Sequence, residues 1–388
     1  MSASAASDVE TKISYDDMVR TGPGTVGGRF LRRFWQPICL SETVKLGKAH
    51  REKIMGEYIT LYRGESGKVY AVADRCAHRG TQLSVGWVEG EEIRCFYHGW
   101  KFAGSGQCVE QPAENSEYAA RIKIAGYHAR EYLGLVFVYL GEGEPPELPR
   151  YPELEDAPGE WDVQARLPVP YNFFQRLENN VDQVHVAFAH RDIFGNHGIA
   201  AVPEYAAVET SYGICATGRR PGKEDRITHF HMPNIAVLYV PPGNNEIAWC
   251  PLVVWRVPVD DDSNRSINVR KVQRKPGVPP RNPANDRSQE QVDVARAILD
   301  GRMELRDIDP KDRALIVPVQ DNIAQMGQGV IPDRSQDHLG KSDVGVALVR
   351  KLWREELQAI ANGRSPRPWL WPQDGVVMTS GASETADA

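Results

Sequence analysis

Two cysteine–histidine pairs constrain this chain more than any other feature: Cys76-Ala77-His78 and Cys95-Phe96-Tyr97-His98. Each half offers one thiolate and one imidazole on a short stretch. Together they supply a mixed ligand set better suited to metal than to a disulfide. Around them run short β-rich segments separated by glycine turns: Tyr58-Ile59-Thr60-Leu61-Tyr62, Val69-Tyr70-Ala71-Val72, Glu92-Ile93-Arg94-Cys95 and Leu135-Val136-Phe137-Val138-Tyr139-Leu140. That spacing predicts a small antiparallel β module over about Met55 to Leu140, with the ligand pairs on its turns. Gly80 and Gly99 follow the pairs, where backbone has to pass close to a metal site and offer N–H groups to its sulfurs.

Zinc sites usually pair their cysteines as C-x2-C, whereas here each half mixes Cys and His. Two cysteines on one iron and two histidines on the other make a Rieske [2Fe-2S] centre. Neutral imidazoles there raise the potential into a range of roughly -150 to +300 mV. Structural zinc and an ordinary core of buried Cys and His are the competing readings. Cys39, Cys108, Cys215 and Cys250 have no comparable partners and read as packing residues.

A second constellation follows at Glu178-Asn179-Asn180-Val181-Asp182-Gln183-Val184-His185 and continues to His190. At roughly 100° per residue, Glu178, Asp182 and His185 share one face of a helix, while His190 points away. Both histidines reach one ion only if the helix is distorted or ends between them. Two histidines and one carboxylate form the facial triad that binds Fe(II) with positions left open for O2. Asp182 is so near His185 that it is cast as a partner fixing the imidazole tautomer, so the third ligand comes from elsewhere.

The 388 residues, 41% of them hydrophobic, suffice for two packed domains or for one large core carrying an inserted module. A net charge of -6, with Lys and Arg scattered, argues against a nucleic-acid partner. Met1 to Val9, rich in Ser and Ala, does not read as a secretory signal, no run approaches about 18 apolar residues, and six cysteines are too few for a disulfide framework, so the expectation is a cytoplasmic chain with no membrane span. Gly141 to Pro158, rich in Pro, Gly and Glu, reads as a linker. Beyond it, strand-like runs such as 235–240 and 248–257, a helical stretch around Phe173 to Phe188, and helices over Gln289–Leu299 and Val344 to about Ala361 predict an α+β domain on an antiparallel sheet. Ser342 or Asp343 is the cap of the last helix and Asn362-Gly363 its stop. The segment after Gln373 reads as a disordered tail.

Taken together, these residues resemble the α (oxygenase) subunit of the Rieske non-haem iron aromatic-ring oxygenases, over nearly the whole chain. Cys76, His78, Cys95 and His98 match the family's cluster ligands, and His185 and His190 match the histidines of its mononuclear iron. Asp182 matches the acidic residue joining a cluster histidine of one subunit to an iron histidine of the next. The segment Val317-Pro318-Val319-Gln320-Asp321-Asn322 is similar to the stretch carrying the carboxylate ligand, which implies Asp321, with Asp333 and Asp337 as competitors and Asp333 beside Arg334 reading as an ion pair. The stretch from Gly329 to Asp343 resembles the phthalate-dioxygenase-like branch, whose members are α-only assemblies.

The resemblance implies a β-sandwich Rieske domain over residues 41–145 and a helix-covered antiparallel-sheet catalytic domain with mononuclear Fe(II) over 146–373. Residues 1–40 would pack with the catalytic part and 374–388 would form the tail. It implies a head-to-tail homotrimer and electrons from NAD(P)H through a flavin and iron–sulfur reductase, with or without a ferredoxin. These would pass from His78 or His98 through Asp182 to His185. The reaction implied is hydroxylation by O2 of a small aromatic substrate, an aromatic carboxylate or aryl ether. Alternatives are an O-demethylating monooxygenase, an electron carrier of the Rieske type, or a zinc-stapled binding protein. Phe188, Phe194, Tyr205 and Trp249 are candidate pocket walls and Arg219 or Arg220 candidate carboxylate anchors, each equally readable as packing or surface.

Overall fold

The computed structural model describes residues 12–114, 116–194, 201–243, 245–282 and 285–379. Ten strands build the first half: Gln36–Leu40 (β1), Ala49–Ile54 (β2), Glu57–Arg63 (β3), Val69–Ala73 (β4), Trp87–Glu89 (β5), Glu92–Arg94 (β6), Lys101–Ala103 (β7), Cys108–Glu110 (β8), Gly126–Tyr132 (β9) and Leu135–Tyr139 (β10). They form a six-stranded sheet in the order β1-β10-β9-β4-β3-β2 and a four-stranded sheet β5-β6-β7-β8. Tyr62 and Val72 from the first sheet share a small core with Ile93, Phe102 and Cys108 from the second, so the two sheets pack as a sandwich. The β9–β10 hairpin turns through Leu133 and Gly134, both at positive φ, the tight connection whose twist matches the flanking strands. β1 is the edge strand beside β10, so the end of the N-terminal segment belongs to this module by pairing.

The second half is a seven-stranded antiparallel sheet of Glu160–Ala165 (β11), Glu204–Glu209 (β12), Gly213–Arg219 (β13), Arg226–His231 (β14), Ile235–Val240 (β15), Cys250–Pro258 (β16) and Asn264–Val272 (β17), ordered β11-β17-β16-β15-β14-β13-β12. Strand alternation divides its two faces. Val237, Val253, Trp255 and Val269 enter the main core with β10 and the helices, and Phe137 meets Trp255 edge-on at 5.6 Å. Leu238, Leu252, Val254 and Asn268 face the other way and line a cavity. On the core side Trp353, in the Val344–Ala361 helix, is fully buried among Phe30, Phe173 and Phe174, with ring centroids 5.0 to 5.7 Å apart. Its indole N–H donates to the Pro233 carbonyl, so the polar edge of the ring is satisfied as well. Phe30 and Tyr15 tie the N-terminal helices Val26–Leu31 and Tyr15–Val19 to this core.

Several local expectations change. The stretch 141–158 is anchored rather than slack: Tyr151 and Leu154 are buried, and the Trp35 indole donates to the Pro146 carbonyl. The helix expected to run to Phe188 is two helices, Phe173–Asn180 and His185–Ala189. Asp343 sits at the N-cap of the last helix but its carboxylate instead accepts from the Gly340 N–H, while Asn362 and Gly363 close that helix as read. Residues 374–379, placed in the disordered tail, lie on the fold, with the Val377 carbonyl accepting from His229 Nε2 on β14, and 380–388 lie outside the described residues. No helix among the described residues is long and apolar enough to cross a membrane.

Candidate metal centres

The first centre sits on two loops with the same backbone. Cys76 N–H donates to Thr81 O at 2.8 Å and Gly80 N–H to Cys76 O at 2.9 Å; Cys95 N–H donates to Trp100 O at 2.8 Å and Gly99 N–H to Cys95 O at 3.0 Å. Gly80 and Gly99 have φ of 76° and 75°, the left-handed region that a side chain disfavours. Their N–H groups therefore close the turns onto the cysteine carbonyls instead of pointing at the sulfurs, which corrects the role read for them from sequence. Each cysteine is preceded by an arginine whose guanidinium grips the carbonyl of the closing glycine, Arg75 on Gly80 at 2.9 Å and Arg94 on Gly99 at 2.8 Å. The repeated Arg-Cys dipeptide was the unused signal for that brace.

These turns sort the four side chains by depth. Cys76 and Cys95 are buried, whereas His78 and His98 are exposed with ring centroids 4.4 Å apart, and His78 stacks on Trp100 at 4.6 Å. Burial, and after it the neighbouring Cys95, push the Cys76 thiol up to about 12 against a backbone hydrogen bond at His78. Two adjacent buried thiols exist as thiolates only if a cation neutralises them. This donor set, sulfur inside and imidazole outside, fits a two-iron cluster.

The second centre depends on where one helix stops. His185 opens the short helix His185–Ala189 and His190 is its C-cap residue at φ -112° and ψ 17°, so the chain turns and both imidazoles reach one point. The carboxylate arrives from the Arg313–Met326 helix. Asp321 Oδ1 is 3.3 Å from His190 Nε2 and 4.0 Å from His185 Nε2, and the three side chains offer ligand atoms within 4.8 Å of one another, the only such group among the described residues. His190 Nδ1 meets Gln320 Oε1 at 2.7 Å, which fixes the proton on Nδ1 and leaves the Nε2 lone pair for a metal. His185 Nδ1 lies 3.5 Å from Asp182 Oδ2 without hydrogen-bond alignment, while Asp182 Oδ1 accepts from the Val184 and His185 N–H groups.

Burial opposes ionisation of Asp321, yet the hydrogen bond and charge of His190, with Arg176 and His185, hold its carboxyl well below the usual carboxylate range. Burial likewise disfavours charge on His190, but Asp321 and Gln320 raise its pKa above the ordinary value. Positive charge is thus stabilised between these three side chains, and two imidazoles with one carboxylate fit Fe(II) in a facial triad.

The rest of the expected site disperses. Glu178 turns away to a buried cluster with Arg334 and Arg350, because its helix ends before His185. Asp333 accepts from the Ser335 N–H and Asp337 pairs with Arg350 at 2.6 Å, so neither competes with Asp321 and the Asp333–Arg334 ion pair does not form. A cavity of about 290 Å³ opens beside the triad. Phe188 is exposed, the Tyr205 hydroxyl donates to the Val181 carbonyl, and Phe194's side chain lies outside the described residues. Arg219 pairs with Asp225 on the surface, and neither it, Arg220 nor Trp249 lines the cavity. The residues that sequence reasoning missed are Gln320 and the cavity arginines, whose types are common and whose partners are remote in sequence.

Comparison with known proteins matches residues 34–132 to the Rieske [2Fe-2S] domain. The chain is 30% identical over 370 residues to the 5,5'-dehydrodivanillate O-demethylase oxygenase subunit of a Sphingobium species, covering 91% of this chain and 81% of that protein. It is 32% identical over 372 residues to the phenoxybenzoate dioxygenase subunit alpha of Ectopseudomonas oleovorans, covering 88% and 84%. Among solved structures, Pseudomonas putida CBB5 NdmA QL mutant with theobromine shares the fold at a TM-score of 0.66 and 21% identity, over 86% of this chain and 92% of that one. The chain is an oxygenase subunit of the Rieske non-haem iron oxygenase family.

Proposed function

We propose that this chain uses electrons from NAD(P)H, passed on by a flavin and iron–sulfur reductase with or without a ferredoxin, to oxygenate a small aromatic compound with O2. The observation that carries this reading is the convergence of His185, His190 and Asp321 in the lining of a cavity, on a chain whose Rieske module bears Cys76, His78, Cys95 and His98. When bound, the cluster supplies single electrons and the mononuclear iron supplies the position at which O2 is activated.

The protein's own residues set the conditions. Gln320 orients the His190 imidazole from behind, Asp182 fixes the backbone at His185 with its other carboxylate oxygen 3.5 Å from that ring, and Arg176, 3.4 Å from Asp321 Oδ2, holds the carboxylate oxygen that does not face the histidines. The apolar wall of Leu238, Leu252 and Val254 receives a carbon skeleton and excludes water from it. Asp182 has the second role of joining a cluster histidine across a subunit boundary in a head-to-tail homotrimer.

Two outcomes are possible once a substrate is seated, ring hydroxylation or O-demethylation, and the Sphingobium relative's name gives the second its support. The deciding test is metal and sulfide content with the electron paramagnetic resonance spectrum after dithionite, followed by product analysis with an aryl ether and with an aryl carboxylate. About three irons and two sulfides per chain are expected. Zinc without sulfide sinks the reading in favour of a metal-stapled binding protein. Formaldehyde among the products identifies demethylation.

A further inference from the structure

The triad is assembled from two elements that are remote in sequence. His185 and His190 follow the Phe173–Asn180 helix, whereas Asp321 rides on the Arg313–Met326 helix. One side of the first helix is tied to the second by Arg176, which donates to Asn322 Oδ1 at 2.9 Å, and by Gln175, whose amide donates to the Gln325 carbonyl at 2.7 Å. The stretch 329–343, which runs from the aspartate-bearing helix to the Val344–Ala361 helix, contributes no residue to the cavity lining or to the triad. What it does contribute is Arg334 and Asp337.

Arg334 and Arg350 converge on one carboxylate, Glu178 in the last turn of the histidine-side helix. Arg350 Nε donates to Glu178 Oε1 at 2.7 Å, and Arg334 donates to Oε2. Asp337 lies 2.6 Å from Arg350 and 3.7 Å from Arg334, so two acids face two guanidiniums. The Tyr15 ring, on the N-terminal helix, packs 5.9 Å from each guanidinium. Glu178 is 7% exposed, so these charges are screened little by salt and losing one partner leaves the others buried without compensation. The helix that carries Arg350 also comes so close to the chain beyond Glu178 that a Cβ on Gly345 would stand 2.7 Å from the Val181 carbonyl oxygen. Val181 leads directly into Asp182, whose carboxylate accepts from the His185 N–H at 3.2 Å. Contacts therefore run from Arg350 through Glu178 and Val181 to His185, and from Arg334 back along the chain to the helix of Asp321.

We infer that Glu178, gripped by Arg334 and Arg350, is a positioning residue of the mononuclear site: it fastens the end of the histidine-side helix to the chain returning from the aspartate-bearing helix, and so fixes the spacing of His185 and His190 from Asp321. A carboxylate suits this place because each oxygen takes one guanidinium, whereas an amide presents a donor in place of one of them. The inference rests on reading the triad as an Fe(II) site and adds the device that holds its width.

The test is anaerobic Fe(II) titration of the full-length protein with its cluster intact and its mononuclear iron removed by chelation, with Asp321→Ala as the blank. Urea unfolding and the electron paramagnetic resonance signal of the cluster are measured on the same preparations. Glu178→Gln is expected to weaken Fe(II) binding about tenfold with the cluster signal native. Arg334→Met in that background adds no comparable further loss, because both changes break one contact. The control is Asp162→Asn, which breaks the buried pair with Arg270 elsewhere on the sheet and is expected to lower stability while Fe(II) binding stays native. Should Glu178→Gln fail to fold, Glu178→Asp, one methylene shorter with its charge kept, decides in its place. Native Fe(II) affinity in the folded Glu178 variant, whatever its loss of stability, overturns the assignment, and so does an equal loss of affinity in Asp162→Asn. Absence of Fe(II) binding by the native chain above the Asp321→Ala blank removes the metal reading itself.

Discussion

At the scale of single residues, the proposed metal site draws on an amide outside the His185–His190–Asp321 triad. Gln320 accepts the His190 Nδ1 proton at 2.7 Å, and without it the buried ring is free to take the other tautomer and withdraw its lone pair. Gln320→Leu is expected to lower Fe(II) affinity about 10- to 100-fold with the cluster spectrum unchanged, read by iron titration of the purified protein. The candidate cluster residues stood out in the sequence because Cys and His are rare and chemically committed, so Cys76-x-His78 and Cys95-x2-His98 leave few alternatives. Gln320 was not, since a glutamine beside an aspartate is ordinary and its partner is 130 positions away. Asp321 was reached through family likeness, whereas its own sequence context allowed a turn or cap.

Elements explain that ambiguity. Asp321 lies within the Arg313–Met326 helix, yet Pro318 sits inside it and reads as a break. Proline removes the N–H that would have bonded the Ala314 carbonyl, and Gln291 Nε2, from the neighbouring Ser288–Leu299 helix, donates to that carbonyl at 2.9 Å instead. A tertiary contact thus allows the helix to continue to Asp321, which no local pattern reveals. Gln291→Leu is expected to cost about 1 kcal/mol of stability by removing this hydrogen bond. Denaturant unfolding measures that cost, and iron content should fall with it because the ligand helix frays. By contrast, the Val344–Ala361 helix and the strands of the β module were legible because their apolar periods agree with their tertiary burial.

β14 shows a second element-level device. His231, between the Tyr151 hydroxyl at 3.0 Å and the Trp369 carbonyl at 2.8 Å, and His229, between the Tyr212 hydroxyl and the Val377 carbonyl, latch the C-terminal strap onto the sheet in neutral form. Burial pushes the His231 pKa down to about 4. Between about pH 6.5 and 4 the unfolded chain binds this proton and the folded chain does not, so stability is complete above the unfolded value and is lost as pH falls. His231 alone is expected to make the protein about 2 kcal/mol less stable at pH 5 than at pH 7. Urea unfolding at the two pH values checks this, and His231→Phe should flatten the difference.

On the scale of the whole molecule, the module and the seven-stranded sheet share one core through β1, β10 and Trp255. If the cluster of one subunit serves the iron of the next, a Cys76→Ser chain and an Asp182→Asn chain, each inactive alone, complement one another when co-assembled. About a quarter of the native O2 uptake is expected from random one-to-one mixing in a head-to-tail ring. No recovery would confine the two centres to the same chain.

The cavity draws its walls from residues as far apart as Arg166 and Asn322, so it belongs to the folded chain alone. A compound that fits it therefore shifts the unfolding equilibrium, by about 2.7 kcal/mol when its free concentration is 100 times its dissociation constant. Melting curves of the isolated protein can thus rank a chemical library for the true substrate, with no electron donor present and no turnover required.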